Sequence, residues 1–131
     1  MPTVTFADVS AGVRDAVAAY ALALDDGRAD DVVATFCADG TVDIPGLGRH
    51  TGHEALRPAF VAVAPKVPQR HLVVNTQITS WDATAATAES DLVLLVKGEA
   101  GWAPFLVGRY RDALRNEDGV WRFSERVVEF L

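Results

Sequence analysis

Asp25 and His71, far apart in the chain, are the residue types that proton transfer needs. A carboxylate that accepts one imidazole N–H fixes the ring's tautomer and leaves the other nitrogen free as a general base. In a dry cavity such a pair removes a proton beside a leaving group, and the carboxylate holds the imidazolium that forms. General acid–base work of this kind typically contributes roughly 10²–10⁴-fold. Asp25 falls at the C-terminal end of a predicted helix, where the helix dipole disfavours negative charge. His71 opens a predicted strand and is followed by Leu72, Val73 and Val74. Side chains alternate along a strand, so His71, Val73 and Asn75 are expected on one face, toward a cavity if that face is concave. The structural alternative is that Asp25 caps a loop and His71 is a hydrogen-bonded core histidine.

Other residues join as candidates. Tyr20 lies on the apolar face of the first helix, either as a core aromatic or as a pocket phenol near a leaving group. Asn75 is expected to orient a substrate oxygen or to bond within the sheet. Val73 and Phe36 are expected to line the pocket. Trp102 and Phe105 are read as its rim, with ordinary hairpin packing as the alternative. Asp91 is a second acid or a surface residue. His50 and His53 sit three apart, but no third ligand accompanies them, and Glu54 is explained by capping, so no metal site is expected. Gly46 and Gly48 lack the strand–GxxxxGK–helix context of a phosphate cradle. Arg109, Arg111 and Arg115 alternate along a strand and read as a solvated or interface face.

The elements that must position these residues follow from the pattern. Thr5 and Asp8 have capping-box character, and Val9, Val13, Val17, Tyr20 and Leu24 repeat at helical spacing. Gly27 suits a left-handed cap. A second helix is expected over Ala29 to Cys37 and a short strand over Thr41 to Ile44. A third helix, capped by Thr51 and Glu54, is expected to run to about Val63 and to be weakened at Pro58. From Arg70 onward the pattern is β: His71–Thr79, Ala85–Lys97, Pro104–Arg115 and Val120–Phe130, joined by short turns. Helices followed by strands predict an α+β domain with a curved antiparallel sheet.

The 131 residues suit one domain, 1–131, half of them hydrophobic and 23% charged. A net charge of −6 repels phosphate backbones and anionic membranes, so neither nucleic acid nor a membrane is an expected partner. Cys37 is the only cysteine, which excludes an internal disulfide. Met1 to Phe6 has neither the basic start nor the apolar run of a signal peptide, so a cytoplasmic location is expected.

The order Tyr20-Ala21-Leu22-Ala23-Leu24-Asp25-Asp26-Gly27, Phe36 with Asp39-Gly40-Thr41-Val42, Thr51-Gly52-His53-Glu54-Ala55-Leu56, Arg70-His71-Leu72-Val73-Val74-Asn75, Gly108-Arg109-Tyr110-Arg111-Asp112 and Asp118-Gly119-Val120-Trp121-Arg122-Phe123 resembles the SnoaL-like group of the nuclear transport factor 2-like superfamily. The resemblance covers about Val9 to Val128. It implies a cone-shaped α+β fold, three N-terminal helices packed on a curved, mainly antiparallel sheet, with an apolar cavity inside and a homodimer through the outer sheet face. Scytalone dehydratase, bile acid 7α-dehydratase and hexachlorocyclohexane dehydrochlorinase look similar in pairing an Asp at the end of the first helix with a His on the sheet, matching Asp25 and His71. The Tyr of the bile acid enzymes matches Tyr20.

Departures limit the transfer. Scytalone dehydratase uses a second histidine on the next strand, where Leu92 to Val96 is wholly apolar. The base of ketosteroid isomerase is an Asp just before a Pro, where this chain has Ile44, with Asp43 one place earlier and so on the opposite face. The resemblance thus implies a cofactor-independent, dehydratase-like elimination on a small apolar, steroid-, polyketide- or terpenoid-like molecule. A proton-transfer isomerase or cyclase with the same dyad, or a non-catalytic binding module, is the alternative.

Overall fold

The first helix starts where its first turn satisfies itself. In this computed structural model, which describes residues 3–131, α1 spans Phe6–Asp25. Thr5 and Asp8 close the expected capping box: the Thr5 N–H donates to Asp8 Oδ2 at 2.9 Å, and the Asp8 N–H donates to Thr5 Oγ1 at 3.3 Å. At the other end Gly27 adopts φ +71°, and the Arg28 N–H reaches back to the Ala23 carbonyl at 2.9 Å.

The second helix is shorter than expected. α2 covers Ala29–Ala34, and Phe36 and Cys37 instead open strand β1, Phe36–Ile44. Both side chains are fully buried in the sheet, and the Phe123 N–H ties Thr35 to the last strand of the chain. Burial in a central strand overrides the helical spacing of Val32, Val33 and Phe36. Residues read as loop form a further strand, β2 (Gly48–Thr51), which pairs antiparallel with β1.

The Thr51–Glu54 capping box does not form. Thr51 belongs to β2, and its hydroxyl pairs with that of Thr41 at 2.9 Å. Gly52, at φ +85°, precedes α3 (His53–Ala62) without a side-chain cap. That backbone conformation favours glycine. The helix continues four residues past Pro58 and buries Leu56, Ala59 and Phe60.

Of the strands that follow, β3 Gln69–Trp81, β4 Ala85–Gly98 and β5 Gly101–Glu117 are longer than their apolar segments suggested, and β6 spans Val120–Phe130 as expected. They form one six-stranded sheet in the order β2-β1-β6-β5-β4-β3, antiparallel except for the β1–β6 pair. Register shifts interrupt β3–β4, β4–β5 and β5–β6, and such bulges bend strands and increase twist. The core lies between the sheet's inner face and α1, with Val9, Val13, Val17 and Leu24 meeting Ala86, Ala88, Leu92 and Leu114. The architecture is the expected α+β one, three helices on a curled, mainly antiparallel sheet.

Candidate active site

Asp25 is the last residue of α1, and its carboxylate leaves the helix for β3. There it accepts three hydrogen bonds: from the His71 backbone N–H at 2.7 Å, from His71 Nδ1 at 2.6 Å and from Gln69 Nε2 at 3.1 Å. These donors offset the unfavourable end of the helix dipole. They also explain how a charged side chain stays 5% exposed beside a histidine that is 11% exposed. An ionised carboxylate has no proton to give, so the shared proton belongs to His71 Nδ1. In the neutral ring Nε2 then carries the free lone pair.

His71 borders a cavity of about 310 Å³, within the range of small-molecule sites. The polar side chains on its wall are Gln69, His71, Tyr20 and Tyr110; Leu24, Leu92, Leu94, Leu106, Val128 and Phe130 make most of the rest. The β1–β2 turn, Pro45 to Leu47, and Val63 just after α3 close it from the other side. Burial pushes the Tyr20 phenol up to about 12, with Arg126 pulling it partly back, and burial also raises Tyr110. Both are therefore neutral hydrogen-bond donors near pH 7.

Behind the two tyrosines lies a pair that the sequence reading missed. Arg126 on β6 donates from Nε and Nη2 to the two carboxylate oxygens of Asp112 on β5, at 2.8 and 2.9 Å. Both side chains are fully buried. The guanidinium also lies over the rings of Tyr110 (3.6 Å), Tyr20 (4.3 Å) and Phe123 (4.3 Å). Burial works against its charge, yet Asp112, aided by Tyr110 and Tyr20, keeps its pKa above the ordinary guanidinium value. Its Nη1 is buried without a hydrogen-bond partner among the described residues. The available signal was the strand alternation, which puts Asp112 on the inward face with Tyr110 and Leu114. Gln69 and Tyr110 also reach the cavity and were not singled out as site residues.

Several expected lining residues sit elsewhere. Phe36 is fully buried against Phe60, Phe123 and Tyr20, in the core rather than on the cavity wall. Val73 keeps the face of His71 but packs half-buried on the core. Asn75 does not share that face. Asn75 and Thr76 together oppose the single residue Ser90, and Asn75 takes φ 56° in this bulge. Its side chain turns out to Asp91 at 3.4 Å. Phe105 is likewise an extra residue, between the Leu94–Leu106 and Leu95–Pro104 pairs, and is 71% exposed. Trp102 is exposed, with the Arg70 guanidinium 5.9 Å from its ring centre.

The remaining candidates have structural partners. Asp91 is held on the outer face by Arg109 Nε at 2.8 Å, whose hydrogen bond keeps its carboxyl below the usual range. Asp43 faces Arg49 on the surface at 3.9 Å. His50 and His53 each donate from Nε2 to a backbone carbonyl, of Leu47 and Phe36 respectively, both at 2.9 Å. Among the described residues no group of three His, Cys, Asp or Glu is gathered to hold a metal, and no helix is long and apolar enough to cross a membrane.

Comparison with known proteins agrees with this architecture. No curated protein matches the chain. Among solved structures, a protein of unknown function from Mycobacterium tuberculosis, solved as an Asp-to-Asn variant, is 28% identical with a TM-score of 0.83, covering 91% of this chain and 69% of its own. A protein from Novosphingobium aromaticivorans, assigned provisionally as a scytalone dehydratase, is 21% identical with a TM-score of 0.81, covering 93% and 83%. From the same organism, a chain assigned provisionally as the beta subunit of an aromatic-ring-hydroxylating dioxygenase is 23% identical with a TM-score of 0.81, covering 96% and 92%. Below 25% identity the likeness is one of fold. The model of the SnoaL-like domain matches residues 7–127, nearly the whole chain, and the protein belongs to that family.

Proposed function

We propose that this protein is a cofactor-independent acid–base enzyme that eliminates water from a small, neutral, largely apolar molecule. The observation that carries the reading is the 2.6 Å contact between His71 Nδ1 and Asp25, with His71 on the wall of an apolar cavity. His71 Nε2 takes a proton from a carbon next to the one bearing the hydroxyl. The C–H electron pair becomes the new C=C bond, and the C–O bond breaks. The departing oxygen, hydrogen-bonded by the Tyr20 and Tyr110 phenols, receives the proton back from the imidazolium and leaves as water. Asp25 holds the ring's tautomer and stabilises the imidazolium. The same dyad also serves a proton-transfer isomerisation or cyclisation, which releases no water.

The proposal extends to assembly and location. Leu72, Val93 and Val107 form a row across the outer sheet face, beside Val74, Trp102 and Phe105. Leu72, Val74, Val107, Trp102 and Phe105 are exposed, and the ion pairs Asp91–Arg109 and Arg111–Glu129 border the row. This face is read as the place where a second copy docks, in the cytoplasm.

The test is turnover of a panel of small β-hydroxy ketones, followed by the absorbance of the conjugated product. Turnover by the wild type is expected, and His71→Ala and Asp25→Asn should each lower it by roughly 10²–10⁴-fold while ligand still binds. Wild-type binding without turnover, or variants as active as the wild type, would leave a binding module instead.

A further inference from the structure

Among the described residues, Gln69 is the one that, besides His71 itself, both hydrogen-bonds the Asp25 carboxylate and lines the cavity. Its orientation follows from chemistry. A carboxylate only accepts, so the amide nitrogen must face Asp25 Oδ1, 3.1 Å away, and the amide carbonyl points away from it. The same Oδ1 is the oxygen that His71 Nδ1 uses. Two donors therefore divide the charge of one oxygen atom, and each is held less strongly than it would be alone.

We propose that Gln69 is a positioning residue with two ends: its amide N–H draws part of the Asp25 charge away from His71, and its carbonyl accepts a hydrogen bond from a substrate hydroxyl beside the base. The inference rests on the acid–base reading above and adds to it a preferred substrate, one with a neutral hydrogen-bond donor next to the reacting carbon. An anionic substrate is disfavoured, because the wall carries no Lys or Arg and the nearby Arg126 is engaged by Asp112.

The surroundings leave few other groups to set the behaviour of His71. From α1 it meets Asp25 and, across the cavity, Tyr20; from β5 it faces Tyr110; the Asp112–Arg126 pair behind these phenols is mutually neutralising. On its own strand, neighbouring Arg70 turns out onto Trp102. Arg14 of α1 is bound to the Thr76 carbonyl at 2.9 Å.

The experiment is an NMR titration of the His71 ring in the full-length protein and in two variants. Gln69→Met keeps the length of the side chain and removes the amide; Gln69→Asn keeps the amide but is one methylene too short to span the contact. Both are expected to raise the His71 midpoint by about half a pH unit or more, because Asp25 then serves the imidazolium more fully. Loss of thermal stability with an unchanged midpoint, or Asn behaving as the wild type does, overturns the tuning role.

For the carbonyl end the probes are 2-naphthol and its methyl ether, 2-methoxynaphthalene. The wild type is expected to favour the naphthol, and Gln69→Met to reduce that preference about tenfold. An undiminished preference overturns that end. Neither measurement needs turnover, so an inactive protein with a shifted His71 removes the acid–base reading alone, and an active one with an unshifted His71 removes this inference alone.

Discussion

The molecule buries two carboxylate–base pairs of similar geometry and opposite character. Asp25 meets a histidine that can gain and lose a proton, at the wall of a cavity. Asp112 meets an arginine that cannot, in a sealed layer of aromatic rings. In the first pair a third donor, Gln69, shares the carboxylate; in the second the bidentate fork takes both oxygens and leaves Arg126 Nη1 without a partner among the described residues. The contrast separates two uses of a buried charge. A permanent pair sets a fixed field behind Tyr20 and Tyr110, whereas a titratable pair with one side open to a ligand can exchange protons with it.

Mutation should pull the two pairs apart. Arg126→Ala leaves Asp112 buried and unpaired and should cost about 3–5 kcal/mol in urea unfolding, with much of the loss recovered when Asp112→Leu is combined with Arg126→Met. His71→Ala should instead lower turnover by roughly 10²–10⁴-fold and move the unfolding midpoint far less than Arg126→Ala does. If the two substitutions destabilise equally, the division of roles fails. The tyrosines between the pairs give a smaller effect. Tyr20 is raised to about 12 in the folded protein against an ordinary phenol near 10, so the unfolded chain loses its proton first as pH rises. Stability should fall as pH rises above about 10; Tyr20 contributes on the order of 2–3 kcal/mol of that fall by about pH 12, the buried Tyr110 adds to it, and Tyr20→Phe should make the fall smaller without removing it. Phe105→Ser on the outer face should change stability within about 0.5 kcal/mol. It should lower the sedimentation coefficient if a second copy docks there; a wild type that sediments as a monomer at micromolar concentration removes that interface.

The parts of this arrangement that the sequence disclosed are those with local signatures. Thr5 and Asp8 declare the start of α1, Gly27 its end, and the alternation after Arg70 the strands. Asp25 and His71 stand out because a carboxylate at a helix C-terminus and a polar residue opening an apolar strand both need a reason. What stayed hidden depends on register. Single extra residues at Asn75 and at Phe105 each throw a side chain to the opposite face, and periodicity cannot show a bulge. Phe36 was assigned to the wrong element because helical and buried-strand spacing coincide over a few residues. Arg126 was invisible because its partner is 14 residues away on the neighbouring strand.

The most direct test of the central claim is the tautomer of His71, read from the ring ¹⁵N shifts above its titration midpoint. A neutral ring protonated at Nδ1 is expected, with Nε2 bare and available to a ligand, and Asp25→Asn should disturb this preference. A neutral ring protonated at Nε2 would place no lone pair toward the cavity, and His71 would then not be the base.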